Sequence, residues 1–381
     1  MNTKKSRLKN KLTLTGNVLE TFRKSGFDRQ NFCVVPFSTV ILEPNGSVGM
    51  CRLKGTEYSI GNLKDNTFEE IWNGDIAKKW RREFLDGNSK MCRNDIDYNN
   101  CNLCAGNNEL LEYAELTETQ TSPILKLTAN FNGFCNLQCQ MCHVWKMPNG
   151  FYTEDNFWKD ARKSMFPYLK EIDMLSGEPF LQDDTFKLID EVSTVNSDCR
   201  WNITTNMHWK LTARIKSYLD KIEVKSIVAS IDSLIPEVYN KIRFPGNLKV
   251  VLRTIDSMLE YEKDRVSRGK SSLNLNMNFL VQPDNWREVP DVLDFCREKE
   301  ILPFISLCYE PFEHSLLQFD RDEKVRIINF LLGMNSIKIS LCMRVIKPLV
   351  FSLPNIDRAY YLPIINKVMD ESYREKLKLN L

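Results

Sequence analysis

Three cysteines lie close together in the loop sequence FNGFCNLQCQMCHVW, at Cys135, Cys139 and Cys142. The spacing C-x-x-x-C-x-x-C brings three thiolates around one centre, whereas four-thiolate zinc sites normally use two C-x-x-C pairs. An iron–sulfur cluster with three protein ligands keeps one iron open, and an open iron can bind and activate another molecule. The alternative is a zinc knuckle in which His143 supplies the fourth ligand.

A second group of cysteines occupies the first third of the chain. The alternation of apolar and polar residues around Pro-Asn-Gly predicts a β-hairpin with Cys33 and Cys51 near its two open ends. Cys101 and Cys104 form a C-x-x-C turn, a common way to offer two thiolates to one metal centre. Cys92 lies between the two pairs.

The other cysteines, Cys199, Cys296, Cys308 and Cys342, are scattered singly and are expected to be small buried hydrophobes. The chain has 12 cysteines and 3 histidines in 381 residues. No signal peptide is readable, and no apolar run approaches the roughly 18 residues of a membrane span. We therefore expect a cytoplasmic protein, in which grouped cysteines indicate metal or redox chemistry.

Composition narrows the class of partner. The chain is 43% hydrophobic and 27% charged, with a net charge of +2. This balance is typical of a soluble globular protein and argues against a nucleic-acid partner covering a whole face. Five Lys or Arg residues among positions 1–11 are expected to form a solvated basic arm.

The first third of the chain is expected to form a small hairpin–helix domain. Thr67 and Glu70 make a capping box for a helix over about 67–86, whose apolar face would pack on the hairpin. A second helix is expected over roughly 107–116. The polar linker TETQTSP follows, and we place a domain boundary there.

Beyond residue 123 the pattern alternates strand and helix. Expected strands cover 124–129, 171–176, 200–206, 225–232, 273–281 and 302–308. Expected helices cover 154–167, 183–194, 210–220, 247–264, 286–299 and 321–333. Six β-α units predict an α/β fold with a parallel sheet, open or curled into a partial barrel, whose chemistry would sit at the carboxyl ends of the strands. The three-cysteine loop follows the first of these strands.

At these positions the sequence resembles the radical S-adenosylmethionine (SAM) superfamily. Cys135, Cys139 and Cys142 match its CxxxCxxC signature, with Met141 where the family usually has an aromatic residue. The stretch SGEP is similar to the family's GGEP motif, with serine in place of the first glycine. The resemblance covers residues 124–309 and implies a partial (β/α)6 barrel that holds a 4Fe–4S cluster and SAM.

The resemblance also implies residues that hold SAM. The SGEP backbone and Glu178 would hold its amino group, and the stretch SIDSLIPEVYNKIR is similar to one that places a serine and an arginine on SAM. Two asparagines are expected at strand positions that face the same mouth of the barrel. The implied SAM-binding residues are Ser176, Gly177, Glu178, Pro179, Asn206, Ser230, Arg243 and Asn276.

The amino-terminal part looks like a SPASM or twitch domain, which carries auxiliary 4Fe–4S clusters in relatives and usually follows the barrel. Cys33 and Cys51, with Gly46 between them, match its spacing, and a later cysteine pair completes the pattern. Cys33, Cys51, Cys101 and Cys104 suffice for one auxiliary cluster, and Cys92 is either a substitute ligand or a bystander. Structural zinc on the same thiols is the alternative. The expected divisions are an arm at 1–32, the auxiliary domain at 33–117, the barrel core at 123–310 and a carboxyl-terminal helical extension at 311–381.

The resemblance implies reductive cleavage of SAM to a 5′-deoxyadenosyl radical that removes a hydrogen atom from the substrate. The substrate class stays open between a small or conjugated metabolite and a ribosomal peptide. A flavodoxin- or ferredoxin-type protein would supply the electron. The alternative from another class is a non-catalytic zinc-binding module that contacts RNA or protein.

Overall fold

The structure, a computed structural model, describes residues 33–52, 58–86, 110, 113–153 and 155–379. These residues form a mixed α/β fold with nine strands in the described part of the chain. They group into two compact units. The first comprises Met1–Phe134, Lys146–Asn202 and Ser217–Glu223, and the second comprises Cys135–Trp145, Ile203–Lys216 and Val224–Leu381.

The first unit contains the hairpin and the first strands of the α/β alternation. Its elements are α1 (Val35–Ser38), β1 (Thr39–Leu42), β2 (Ser47–Gly49), β3 (Gly61–Asn62), α2 (Phe68–Trp72), α3 (Asp75–Leu85), β4 (Lys126–Ala129), α4 (Asp155–Ser164), β5 (Glu171–Met174) and α5 (Asp183–Val195). Strand β1 pairs antiparallel with β2 but parallel with β4, and β4 pairs parallel with β5. The hairpin therefore extends the sheet to which β4 belongs.

The hairpin turn is the expected one, but the hairpin is shorter than the alternation predicted. Gly46 has a φ of +80° at the turn, which favours glycine. Val35–Ser38 is a helical turn rather than strand, with Pro36 in its first turn and the Ser38 hydroxyl bonded to the Val34 carbonyl at 3.0 Å. Cys33 thus precedes a helical turn, and the strand that was expected to run from this cysteine begins only at Thr39.

The helix expected over 67–86 is two helices, α2 and α3. The capping box of Thr67 and Glu70 is present at the start of α2. The break falls at Asn73, whose side-chain amide donates to the Gln120 carbonyl at 3.0 Å and whose side-chain oxygen accepts from the Gln120 amide at 2.8 Å. Gly74, which is extended, then precedes α3 as its N-cap residue. A contact with the distant linker therefore decides the break.

The end of the helix expected over 107–116 is also different. Tyr113 lies in a turn and residues 114–116 are not helical. The carboxylate of Glu115 accepts from the backbone amides of Thr121 at 3.0 Å and Ser122 at 2.9 Å. The linker thus folds back on Glu115, which competes with helical hydrogen bonding there.

The second unit contains the remaining parallel strands. Its elements are β7 (Glu223–Ser230), α7 (Pro236–Ile242), α8 (Leu248–Ser267), β8 (Leu275–Val281), α9 (Val289–Glu298), β9 (Leu302–Leu307), α10 (Arg321–Leu332), α11 (Ser336–Leu341), α12 (Met343–Phe351) and α13 (Asn355–Leu379). Strand β8 pairs parallel with both β7 and β9. The division between the units passes through β6 (Arg200–Thr205) and α6 (Ala213–Leu219). The predicted alternation of six strands with helices is confirmed.

The carboxyl-terminal helices pack on the second unit's own sheet. Helices α11 and α12 contact β9, and α12 also contacts α10. The inner face of α12 is buried and apolar, with Val345, Ile346 and Leu349 fully enclosed. No helix among the described residues combines the length and the apolar character that crossing a membrane requires.

Candidate functional site

The chain just before the three-cysteine loop is held by the turn that follows β5. The Ser176 hydroxyl donates to the Asn132 carbonyl at 2.8 Å, and the Glu178 amide donates to the Phe134 carbonyl at 2.9 Å. The side-chain amide of Gln182 donates to the same two carbonyls, at 3.1 and 2.8 Å. Because Phe134 is followed directly by Cys135, this turn fixes the backbone that enters the loop.

Gly177 and Ser176 each have a structural reason for their residue type. Gly177 has a φ of +56°, and an added Cβ would lie 2.1 Å from the Phe134 carbonyl oxygen. Only glycine allows this close approach. The serine that departs from the family's GGEP pattern uses its hydroxyl to bind Asn132.

Glu178 and Pro179 begin the 3-10 helix Pro179–Leu181. Glu178 is fully buried, and its carboxylate accepts from the Phe180 amide at 3.3 Å. A buried carboxylate at this turn can form a charge-assisted hydrogen bond to an ammonium group. Its role toward SAM stays a prediction.

The hairpin is attached to the chain on both sides of the cysteine loop. The Glu43 carboxylate accepts from the Asn130 side-chain amide at 3.2 Å, and the Glu43 carbonyl accepts from the Tyr152 hydroxyl at 2.8 Å. The Phe151 ring fills the space beside Gly46, where a Cβ would come within 2.3 Å of it. The amino-terminal hairpin therefore supports the segments from which the loop departs and to which it returns.

Within the second unit, the cysteine loop pairs its backbone with the end of α7. The Gln138 amide donates to the Phe244 carbonyl at 2.5 Å, and the Gln140 amide donates to the Ile242 carbonyl at 3.0 Å. The Cys142 amide returns to the Cys139 carbonyl at 3.0 Å. These bonds hold a loop that has no regular secondary structure of its own around its cysteines.

Nitrogen donors approach two of the three sulfur atoms. The Asn206 side-chain amide lies 3.6 Å from Cys135 Sγ, and the Leu137 amide lies 3.4 Å from the same atom. Arg243 Nη1 lies 3.8 Å from Cys139 Sγ. Donors placed on sulfur stabilise thiolates and iron–sulfur clusters.

Cys139 is the buried member of the three. Burial raises the pKa of its thiol to about 11; the nearby Arg243 charge lowers it, whereas Asp232, Cys142 and Cys135 raise it further. The three thiolates repel one another as like charges, and a bound metal would offset that repulsion.

No three His, Cys, Asp or Glu side chains in the described part of the chain stand in a ready-made ligand arrangement. The fit to a cluster therefore rests on the chemistry of the donors. Three thiols on one short loop, two of them with N–H donors on sulfur, suit the soft iron of a 4Fe–4S cluster.

A hydrogen-bond network around His208 supports the Cys135 side of the loop. The Asn206 side chain donates to Asn136 Oδ1 at 2.9 Å and accepts from the His208 amide at 2.7 Å. Asn136 donates to the His208 carbonyl at 2.6 Å, and the His208 ring nitrogen Nε2 accepts from the Asn247 amide at 3.0 Å. Burial lowers the pKa of His208, which favours the neutral ring that this acceptor role requires.

Two of the residues implied on SAM occupy places that the pattern did not predict. Asn276 is the second residue of β8 and donates to the Asn274 carbonyl at 2.8 Å. It lies beside Leu302, the first residue of β9, so its expected position at the carboxyl ends of the strands is wrong. Arg243 is buried against Asp232 and Cys139. Ser230 is the last residue of β7, as expected.

The amino-terminal cysteines are only partly described. Cys33 is buried and Cys51 is half-buried. Cys92, Cys101 and Cys104 lie outside the described residues, so the ligand set of the auxiliary cluster stays a prediction. The four scattered cysteines are buried, as expected, and burial raises the pKa of Cys296 and Cys342 to about 12.

Sequence reasoning missed three residues that hold the loop. Gln182 follows the SGEP turn, and Asp232 lies between the two residues of SIDSLIPEVYNKIR that were assigned to SAM. Gln282, at the end of β8, accepts from the Gln140 side chain at 3.0 Å. The usable signal was Asp232, a carboxylate just past the end of a strand, with an arginine directly after the next helix.

Two models of known protein families match this chain. Residues 129–296 match the family model of the Radical SAM superfamily, and residues 33–105 match the SPASM model, described as an iron-sulfur cluster-binding domain. The chain therefore carries a Radical SAM domain and a SPASM domain. The resemblance, the α/β fold class and the amino-terminal position of the auxiliary domain are therefore confirmed.

Curated relatives of the chain include probable GTP 3′,8-cyclases of two organisms. The enzyme of Methanocaldococcus jannaschii is 26% identical over 191 residues, covering 48% of this chain and 60% of the relative. That of Methanothermobacter thermautotrophicus is 28% identical over 192 residues, covering 49% and 58%. The chain thus spans about three fifths of the length of these relatives. The solved structure of Streptococcus suis SuiB bound to S-adenosylmethionine is 16% identical over 55% of this chain and 47% of SuiB, with a TM-score of 0.41.

Proposed function

We propose that this protein is an enzyme that reductively cleaves SAM and uses the resulting 5′-deoxyadenosyl radical to abstract a hydrogen atom from its substrate. The observation that carries the proposal is the placement of Asn206 and Arg243 on the sulfur atoms of Cys135 and Cys139. The potential of an iron–sulfur cluster depends on hydrogen bonds to its sulfur atoms, so these two contacts suit a redox role for the loop.

Cys135, Cys139 and Cys142 would hold the 4Fe–4S cluster, which supplies the electron and the open iron at which SAM binds. The chain's own residues shape that chemistry. The SGEP turn and Gln182 fix the entry to the loop, and the end of α7 fixes its middle. The protein's further task is to exclude water and stray hydrogen donors from the reacting atoms.

For SAM itself, the family resemblance supports Glu178 as the acceptor for the ammonium group, with Ser176, Gly177 and Pro179 forming the turn around it. Ser230 stays a candidate for SAM because it ends a strand. We assign Asn206 and Arg243 to the cysteine sulfurs, and we withdraw Asn276.

We propose one auxiliary 4Fe–4S cluster, held by Cys33, Cys51, Cys101 and Cys104. The match of residues 33–105 to an iron-sulfur cluster-binding domain supports it. This cluster would take an electron from the substrate radical or anchor the substrate.

The substrate is proposed to be a small or conjugated metabolite, with a ribosomal peptide as the other candidate. The curated relatives favour the metabolite, since the name GTP 3′,8-cyclase denotes action on a nucleotide. A flavodoxin- or ferredoxin-type protein of the cytoplasm would supply the electron.

Metal analysis of anaerobically purified protein tests the proposal. Brown protein with iron and acid-labile sulfide, and 5′-deoxyadenosine formed from SAM under dithionite, are the expected results. Colourless protein with stoichiometric zinc would instead support the non-catalytic module.

A further inference from the structure

Asp232 and Arg243 form an ion pair inside the second unit, next to the cysteine loop. Arg243 Nε and Nη2 lie 2.8 and 2.7 Å from Asp232 Oδ2. The Asp232 side chain is fully buried, and that of Arg243 is 8% exposed. Since Nε and Nη2 serve the carboxylate, Nη1 is the nitrogen directed to Cys139 Sγ, at 3.8 Å.

The carboxylate is itself fixed by the strand ends around it. Its second oxygen, Oδ1, accepts from the Leu280 amide at 2.9 Å. The Asp232 carbonyl accepts from the side-chain amide of Asn285 at 2.8 Å, and Asn285 is fully buried. The orientation of the guanidinium is therefore imposed by the backbone of β8 and the residues that follow it, through Asp232.

We propose that Asp232 is a positioning residue that holds Arg243 on Cys139 Sγ and so sets the reduction potential of the cluster bound by that cysteine. This inference rests on the proposed function. Reduction adds one negative charge to a cluster, and its potential depends on nearby charge and on hydrogen bonds to sulfur. The guanidinium favours the reduced cluster and raises the potential, whereas the carboxylate behind it acts in the opposite sense.

Two substitutions with opposite charge effects test the inference in the full-length protein. Arg243→Met removes the cation and the sulfur contact, so the potential should fall. Asp232→Asn removes the neutralising carboxylate while leaving an acceptor for Arg243, so the potential should rise. The readout is a dithionite titration followed by electron paramagnetic resonance, using the signal that the Cys135→Ala/Cys139→Ala/Cys142→Ala variant lacks.

A matched control comes from the same part of the chain. Lys241 forms an exposed ion pair with Asp284 at 2.7 Å, with 62% of the lysine side chain exposed. Lys241→Met changes the net charge as Arg243→Met does, but in water, where screening weakens the field. The reduction potential of the cluster in this control variant should equal that of the wild type.

Shifts of the same sign in the two variants, or wild-type potentials with full iron, would overturn the inference. If the single variants lose the cluster, the neutral double variant Asp232→Asn/Arg243→Met decides, and its potential should lie below that of the wild type. Should the double variant also lose iron, Arg243→Lys decides. Lysine keeps the positive charge but not the Nη1 contact with Cys139 Sγ, so the cluster potential should fall below that of the wild type, and an unchanged potential with full iron would contradict the inference. Wild-type protein without any cluster would instead refute the proposed function.

Discussion

The Asn206 side-chain amide lies 3.6 Å from Cys135 Sγ and 2.9 Å from Asn136 Oδ1. One asparagine therefore supports both a cysteine sulfur and the residue that follows it. Asn206 is 6% exposed, so its hydrogen bonds are shielded from exchange with water.

We expect Asn206→Ala to destabilise the cysteine loop. Loss of two or more shielded hydrogen bonds costs about 1–3 kcal/mol. The free energy of unfolding in urea and the iron content after anaerobic reconstitution should both be lower than in the wild type. Asn366→Ala, at an exposed position of α13, is the control and should match the wild type. An Asn206→Ala protein with wild-type stability and iron would contradict the role of this side chain.

Gly177→Ala should disturb the backbone that enters the loop. The added Cβ would lie 2.1 Å from the Phe134 carbonyl oxygen at a φ of +56°, so the turn must move. We expect a loss of more than ~2 kcal/mol of unfolding free energy, since left-handed alanine alone costs about 1–2 kcal/mol.

Gly150→Ala separates the two effects in that experiment. Gly150 has a φ of +91°, and an added Cβ would meet nothing within 4 Å. It should therefore cost only the conformational part, about 1–2 kcal/mol. Equal losses of unfolding free energy in the two variants would show that the contact with Phe134 does not constrain residue 177.

Glu178→Gln tests the predicted contact with the SAM ammonium group. A charge-assisted hydrogen bond contributes about 1.5–3 kcal/mol. The substitution should weaken SAM binding by roughly ten- to a hundredfold without altering iron content, because glutamine still offers an oxygen to the Phe180 amide. Calorimetric titration with SAM gives the result, and unchanged affinity would exclude Glu178 from the SAM site.

The double substitution Cys33→Ala/Cys101→Ala tests the auxiliary cluster. Two 4Fe–4S clusters imply about eight irons per chain, and this variant should lose about half of them while still cleaving SAM without substrate. Cys342→Ala is the control, since this cysteine is buried and burial raises the pKa of its thiol to about 12. Full iron in the double variant would show that other residues ligate the cluster, with Cys92 the next candidate. Zinc in the wild type would show that the amino-terminal cysteines form a structural zinc site.

His208 should make stability depend on pH. Burial lowers its pKa in the folded state below the ordinary value of 6.5, so the unfolded chain takes up a proton first as the pH falls. Its stabilising contribution is therefore complete above pH 6.5 and is lost below that value. Unfolding free energies at pH 7.5 and 5.5 should differ less in His208→Gln than in the wild type; identical pH dependence would contradict this assignment.

The sequence predicted the elements better than it predicted the contacts between them. The strand and helix alternation after residue 123 follows from local periodicity, and the capping box at Thr67 and Glu70 is a local signal. The break at Asn73 depends on Gln120, 47 residues away, which no local pattern contains.

The candidate site shows the same division. Cys135, Cys139 and Cys142 are readable from their spacing, and Ser176 and Gly177 from the family motif. The pairing of Arg243 with Asp232 depends on how α7 returns to the end of β7. Both residues are visible in the sequence, but their pairing is not. Asn276 was misassigned to the barrel mouth although the expected strand over 273–281 already placed it nearer the amino end.

The central claim is that the loop of Cys135, Cys139 and Cys142 carries the chemistry. The most direct measurement is 5′-deoxyadenosine formation from SAM under dithionite by the triple alanine variant, beside the wild type. We predict no product from the variant, together with retention of the iron of the amino-terminal domain. Continued formation of 5′-deoxyadenosine by the triple variant would contradict the account.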